Sequence, residues 1–441
     1  MSKTFSMGGV HPHENKLSAN RTIITAEVPK QAVILLGQHI GAPAKPVVAK
    51  GNKVKVGTKI AEANGFISAS VHSSVSGMVA KIDLATDASG YAQSAVFIDV
   101  EGDEWEETID RSETLVRECT LTSEEIIKRI ADAGITGMGG ASFPTHVKLM
   151  PPSPFKAECV IINVAECEPY LTADHQLMLE HAEEILVGVS LLMKAMKVDK
   201  AFIGIENNKP DAIQLMTKEV SQFVGINVVP LKVKYPQGSE KQLVEAITGR
   251  QINKGALPVS VGVVVQNLAT TFAVYQAVQK NKPLVERVVT VTGKSLVNPS
   301  NVMVRIGTPV HRLIDICGGL PQDTGKIIGG GPMMGKALIN TDVPITKCCS
   351  GILIMNRKEA ERSEVQNCIR CAKCVDACPM GLEPYLLSAL AEKNNFERME
   401  EENTMDCIEC GCCQFICPSC LPLLDHIRLG KKTIQQRHTG N

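Results

Sequence analysis

The residues with the clearest chemistry lie in the last quarter of the chain. Cys368, Cys371, Cys374 and Cys378 form a C-x-x-C-x-x-C-x-x-x-C-P motif, and Cys407, Cys410, Cys413 and Cys417 repeat it. Three thiolates at this spacing wrap a short turn around one iron–sulfur cubane. The fourth cysteine, ahead of proline, ligates the other cluster in two-cluster proteins. The spacing therefore predicts two 4Fe–4S clusters. One takes Cys368, Cys371, Cys374 and Cys417; the other takes Cys407, Cys410, Cys413 and Cys378. A zinc site would need two or four ligands without an eight-cysteine crossover. Twelve of the 16 cysteines fall between 348 and 420. Clustering that uneven belongs to a metal site, not to a disulfide framework. Cys348, Cys349, Cys412 and Cys420 fall off the motif and read as buried thiols. His11 and His13 read as a solvated pair.

A second set of residues suits a flat, phosphorylated cofactor. The stretch 134–148 carries Gly137, Gly139 and Gly140, then Phe143 and Lys148. Clustered glycines let backbone N–H groups close on a phosphate or a ring, and a lysine adds a point charge. Three further segments follow β-branched runs, and α/β sheets bind ligands at such strand ends. They hold Asn163, Glu166 and Glu168; Tyr235, Gly238 and Glu240; and Gln266, Asn267 and Thr270. Amides, carboxylates and a phenol there suit the heteroatom edge and ribityl hydroxyls of noncovalent FMN. Glu166 and Glu168, at i and i+2, are expected on one face of an extended segment.

The elements that must position these residues alternate. β-Branched runs at 160–164, 201–205, 226–233 and 261–265 read as strands, separated by helical patterns at 177–196, 211–223 and 241–247. That order predicts an α/β sheet with helical crossovers. Ahead of it, Thr122 or Ser123 should cap a helix with Glu124 and Glu125 in its first turn. Strands are expected at 288–293 and 302–306, and a helix at 310–316. Beyond about 350 the chain should be helical wherever the cysteines allow. The acidic run 101–107 reads as a linker. No charge interrupts 255–279, long enough for a bilayer. Pro258, Gln266, Asn267, Thr270, Thr271 and Gln276 instead point to a strand, a polar turn and a short helix.

Two resemblances organise these pieces. Val54 to Ala61 and Val71 to Val79 resemble the half-repeats of biotinyl and lipoyl carrier domains, which fold as barrel-sandwich hybrids. No lysine lies between Lys59 and Lys81, so the carrier role is excluded and a docking module is left. The glycine run and strand ends resemble the flavin- and NADH-binding subunit of respiratory complex I, with Ser142, Ala165 and Ser239 as departures. The segment 288–319 resembles the β-grasp domain of that family. The whole order is similar to the RnfC family, the C subunits of the ion-translocating ferredoxin:NAD oxidoreductases known as Rnf complexes. It differs from the cobalamin reductases of microcompartments, where the barrel-sandwich part follows the clusters.

The resemblance implies a multidomain α/β protein. Its units are a barrel-sandwich hybrid (1–119), a Rossmann-like FMN/NADH domain (120–281), a β-grasp domain (282–347) and a helical ferredoxin domain with two clusters (348–441). It implies NAD(H) as substrate, hydride transfer to FMN without a protein nucleophile, and single-electron transfer to the clusters. Glu166 and Glu168 would position flavin and nicotinamide. Integral-membrane and redox subunits of the same complex would be partners, with ferredoxin reached indirectly and Na+ or H+ moved elsewhere. The chain would sit at the cytoplasmic face of the inner membrane. A soluble flavin–iron–sulfur reductase acting on a corrinoid is the alternative, and a scaffold with structural clusters a third reading. Basic and acidic residues number 46 and 47, and aromatics are 4%, which argues against a nucleic-acid partner. The first residues, Ser2-Lys3-Thr4, lack the apolar core of a signal peptide, and a reducing compartment is expected.

Overall fold

The computed structural model describes residues 2–439; Met1, Gly440 and Asn441, at the ends of the first and last expected units, lie outside it. Two small antiparallel sheets form the first unit. One orders Gln31–Leu35, Ala92–Val100, Gly77–Thr86 and Lys53–Val54; the other orders Lys45–Pro46, Lys59–Glu62 and Val71–His72. Ile34, Val54, Ile60, Val79, Val96 and Ile98 fill the space between them. The expected linker at 101–107 is docked rather than free. Val56 bridges to Trp105, Arg305 lies 4.5 Å over the Trp105 ring, and Arg305 also pairs with Asp103 at 3.1 Å.

The central unit holds a four-stranded parallel sheet. Its order is Ile226–Leu231, Ala201–Glu206, Cys159–Val164, Val263–Asn267. Val160, Ile162, Ile203 and Ile205 are fully buried against the helix Ala182–Met196 and its neighbours. The helix Ser123–Asp132 starts as its sequence requires, with a capping box between Thr122 and Glu125, worth about 1 kcal/mol. The helical pattern at 177–196 is two helices, Ala173–Glu180 and Ala182–Met196, broken at His181. The uncharged stretch becomes the strand Val263–Asn267 and the helix Leu268–Gln279, with Asn267 as N-cap in place of a separate turn. No described helix is long and apolar enough to cross a membrane.

A six-stranded mixed sheet follows, ordered Ile24–Thr25, Ser300–Arg305, Glu286–Thr292, Gly351–Asn356, Thr324–Gly329, Lys336–Ala337. The strand Gly351–Asn356 pairs with both Glu286–Thr292 and Thr324–Gly329. The expectation of helix beyond 350 is thus corrected, because the apolar run Ile352-Leu353-Ile354 is buried in a sheet. The first residues do not join the sandwich. Lys3 bridges to Leu231, Val10 to Tyr235, and Ile24–Thr25 pairs with Val302 and Met303. The last unit is helical, with Pro384–Glu392, Phe396–Glu401 and Leu423–Thr439 packed around Leu387, Met399 and Ile427.

Candidate functional site

Strand order in the parallel sheet reverses between Cys159–Val164 and Val263–Asn267, the place where such sheets open a ligand crevice. Asn163 and Asn267 are register partners across that point. Asn163 Nδ2 donates to the Gly238 carbonyl at 2.7 Å, and its Oδ1 accepts from Ala165 N at 3.3 Å. Asn267 Oδ1 accepts from Thr270 N at 3.2 Å, capping its helix. Met138 N donates to Thr270 Oγ1 at 2.9 Å, which ties the glycine loop to the same strand end. Within that loop Gly137 N donates to the Phe143 carbonyl at 2.8 Å. A Cβ on Gly139 would lie 3.2 Å from the Asn267 side chain, whereas Gly140, at φ +118°, faces open space. Lys148 pairs with Glu240 at the start of the helix Glu240–Thr248. The side-chain N–H groups of Gln266 and Gln237 are buried with no partner among the described residues. Glycine backbone facing open space, an ion pair and the orphaned Gln266 donor at a switch-point strand fit a polar, phosphorylated ring compound.

Three expected contacts point elsewhere. Glu166 and Glu168 do not share one extended face, because Glu166 sits at φ +45°. Its carboxylate accepts from Asp174 N at 2.8 Å and His175 N at 3.3 Å, at the start of Ala173–Glu180. The Glu168 carboxylate accepts from Met333 N at 3.1 Å and Met334 N at 2.7 Å. The Tyr235 phenol, expected at the flavin edge, donates to the Cys410 carbonyl at 2.9 Å. Burial and the neighbouring Glu168 carboxylate and thiols hold that phenol far above its ordinary value, so it remains a donor.

Several residues at the site carried no local signal. Lys16 Nζ donates to the carbonyls of Glu166, Glu168 and Leu171 at 2.8, 3.0 and 2.7 Å. Lys209 Nζ donates to the Ala165 carbonyl at 2.8 Å. Two ammonium groups, far apart in sequence, thus brace one turn. Asp174, which accepts from Asn267 Nδ2 at 2.7 Å, is raised by burial and by Glu166. The loop that receives Glu168 did carry a signal, the glycines at 329, 330, 331 and 335. A Cβ on Gly331 would lie 2.2 Å from the Glu168 carboxylate.

Burial pushes the Glu168 carboxyl up to about 7 from 4.5, against the pull of its two amide donors. An acid raised on folding takes up a proton as it folds. The stability tied to that proton is complete below about pH 4.5 and is lost as pH rises through about 7. Glu168→Gln removes this loss. The melting temperature of the variant relative to the unsubstituted protein should therefore climb between pH 5 and pH 8. A flat difference would mean that the carboxylate is ionised throughout.

The two cysteine motifs adopt one backbone path twice. Arg370 and Glu409, Ala372 and Gly411, and Gly381 and Cys420 occupy matching positions, all with positive φ. Short helices, Lys373–Asp376 and Cys412–Phe415, follow the second of these in each motif. Cys378 from the first motif lines one cavity with Cys407, Cys410 and Cys413 from the second. Conversely, burial raises the Cys374 thiol and the nearby Cys417 sulfur adds to that rise. Cys368 and Cys371 are exposed. No three His, Cys, Asp or Glu side chains among the described residues close on a single ion. Four thiols around a cavity suit a multi-iron cubane better than one metal ion. Of the off-motif thiols, Cys412 is fully buried against the Tyr235 carbonyl at 3.9 Å, whereas Cys420 is exposed, correcting its expected burial.

Comparison with known proteins covers nearly the whole chain. Residues 3–103 match the RnfC barrel sandwich hybrid domain, 130–276 the Nuo51 FMN-binding domain, 288–337 the SLBB domain and 347–418 the 4Fe-4S dicluster domain. A Clostridium ljungdahlii protein, named as the C subunit of a proton-translocating ferredoxin:NAD(+) oxidoreductase complex, is 46% identical over 91% of this chain and 87% of its own. An Acetobacterium woodii protein, named as the C subunit of a Na(+)-translocating complex, is 43% identical over 98% of both chains. The C subunit of a Rhodobacter capsulatus ion-translocating oxidoreductase complex is 40% identical over 99% of this chain and 85% of its own. Among solved structures, an NAD+-reducing NiFe hydrogenase in its H2-reduced state matches 73% of this chain and 67% of its own, with a TM-score of 0.51 and 17% identity, a likeness of fold alone. The chain belongs to the RnfC family, the C subunits of ion-translocating ferredoxin:NAD oxidoreductase complexes.

Proposed function

We propose that this chain is the peripheral subunit that exchanges electrons between NAD(H) and the membrane-bound partners of its complex. FMN, when bound, converts the two-electron chemistry of nicotinamide into single electrons that 4Fe–4S clusters can carry. The chain's own residues bind, orient and insulate. Gly137, Gly139, Gly140 and Phe143 form the cradle, and Asn163, Gly238, Gln266, Asn267 and Thr270 line the strand ends. Lys148, held by Glu240, supplies positive charge. Glu166 and Glu168 shape the nicotinamide side indirectly, by fixing the helix Ala173–Glu180 and the loop at Met333. Cys368, Cys371, Cys374 and Cys417 hold one cluster, and Cys407, Cys410, Cys413 and Cys378 the other.

The observation that carries this reading is the approach of Cys378 to the cavity of the second motif, which the segment 235–238 links to the switch-point strand through Tyr235 on Cys410 and Gly238 on Asn163. We assign the parallel-sheet unit as Rossmann-like, the six-stranded unit as β-grasp and the last as a helical double-cluster ferredoxin module. Its start belongs after the strand Gly351–Asn356, which hydrogen-bonds to the preceding sheet. We place the subunit at the cytoplasmic face of the membrane. The ion step belongs to partner subunits, since relatives named for protons and for sodium both match this chain over most of its length. A soluble corrinoid reductase is not favoured, because those relatives are named as subunits of ion-translocating complexes. Anaerobic purification tests the assignment. One FMN and about eight irons per chain are expected, with flavin bleaching and cluster reduction on adding NADH. A chain with irons but no flavin would be a scaffold.

A further inference from the structure

Tyr235 opens the strand-end segment whose Gly238 meets Asn163 at the crevice, yet its side chain turns toward the cysteine motifs. It is 2% exposed and packs with Cys167, Met333, Cys410 and Cys412 in one apolar group. Its phenol donates to the carbonyl of Cys410, a ligand-motif residue, at 2.9 Å. Its backbone pairs with Val10 in both directions at 2.9 Å. The strap that carries Val10 continues onto the opposite side of the cavity. Gly9 N donates to the Ala377 carbonyl at 2.9 Å, and a Cβ on Gly8 would lie 2.5 Å from the Cys378 carbonyl carbon. Gln242, from the helix after Tyr235, donates to the Pro379 carbonyl at 3.1 Å. Both sources of the four-cysteine cavity, Cys410 and Cys378, are thus tied to one edge of the parallel-sheet unit. In the other cluster's motif, Cys368 and Cys371 are exposed instead.

We propose that Tyr235 is a positioning residue that fixes the cluster of Cys378, Cys407, Cys410 and Cys413 against the flavin domain and tunes it through the Cys410 backbone. This rests on the electron-transfer reading above. The phenol's dipole satisfies a carbonyl whose partial negative charge would otherwise stand unpaired beside a cluster whose reduction adds another electron. Polar groups and solvent access around a cluster set its potential. Loss of the hydroxyl should make that cluster harder to reduce.

Tyr235→Phe keeps the ring and removes only the donor. Midpoint potentials and electron-resonance line shapes of the two clusters should be compared, together with iron and FMN content. The variant should keep both cofactors and bleach its flavin with NADH at an unchanged rate. The cluster of the second motif should show a more negative potential and an altered signal, and its reduction by NADH should slow by about tenfold. The exposed cluster should be unaffected. Gln242→Leu, which frees the Cys378 side, should slow the same step while leaving flavin bleaching intact. Unchanged potential, line shape and reduction rate in Tyr235→Phe overturn the proposal, as does an equal shift in both clusters. Flavin or iron missing from the unsubstituted chain overturns the parent reading instead.

Discussion

Cys378→Ala should damage the cluster built by Cys407, Cys410 and Cys413 and spare that of Cys368, Cys371 and Cys374. The direction is opposite to sequence proximity. Cys378 lines the second motif's cavity, while Cys417 lies near Cys374. Pro379 turns the chain immediately after the thiol, and Gly381 at φ +66° completes the turn, so the sulfur cannot swing back without unwinding it. Loss of one thiolate ligand degrades the affected cubane toward a three-iron form, and iron content falls from about eight to about seven or fewer. Cys417→Ala should do the reverse. Cys412→Ala is the control, since Cys412 lines the same cavity but stands off the motif, and it should retain all the iron. Electron resonance with iron counting on the three variants decides the matter. If Cys378→Ala extinguishes only the signal of its own triplet, ligation is local and the two motifs are independent modules.

The approach of Cys378 to the cavity of the second motif was legible in the sequence, because the repeated spacing with a proline after the fourth cysteine predicts it. The four parallel strands were legible for a related reason: runs such as Cys159–Val164 are buried on both faces and read as unbroken β-branched stretches. The start of Ala173–Glu180 was not legible. Thr172 makes no side-chain cap there, and the N–H groups are met by Glu166, a residue from the preceding turn. Capping rules look three residues ahead, so this one stayed hidden. Gly351–Asn356 was missed for a different reason. Its apolar run was present, but the strands it pairs with, Glu286–Thr292 and Thr324–Gly329, lie well before it in the chain.

Within the candidate site, residue types were legible and directions were not. Asn163, Asn267 and Thr270 converge as expected because they end adjacent strands or begin the helix that follows. Tyr235 belongs to a similar segment, but its ring turns toward Cys410, some 175 positions away in sequence. Lys16 reaches the turn at Glu166 across 150 positions. Neither contact has a spacing that a single sequence can reveal. Both join separate units of the chain, and such joints depend on how folded surfaces meet.

Gly140→Val should abolish flavin retention while leaving both clusters loaded. Gly140 adopts φ +118°, a backbone conformation that L side chains rarely adopt, and a non-glycine residue held there costs about 1–3 kcal/mol. A Cβ built on it meets no protein atom within 4 Å, so the side chain would project into the space where a cofactor ring approaches the backbone. Valine would place two methyl groups in that space, and overpacking adds about 1–3 kcal/mol. The backbone penalty is carried with or without the cofactor, so the crowding alone should weaken binding, by up to roughly a hundredfold. Gly139→Ala should act more mildly, because its Cβ presses on Asn267 at 3.2 Å and that side chain has some freedom to shift. The control is Gly51→Val, at φ +87° in the first unit, which also meets nothing within 4 Å. It shares the backbone penalty but not the place. FMN released per chain after desalting measures the effect, with iron content as the check on folding. Full flavin in Gly140→Val, or equal loss in Gly51→Val, would mean that the glycine loop does not hold the cofactor.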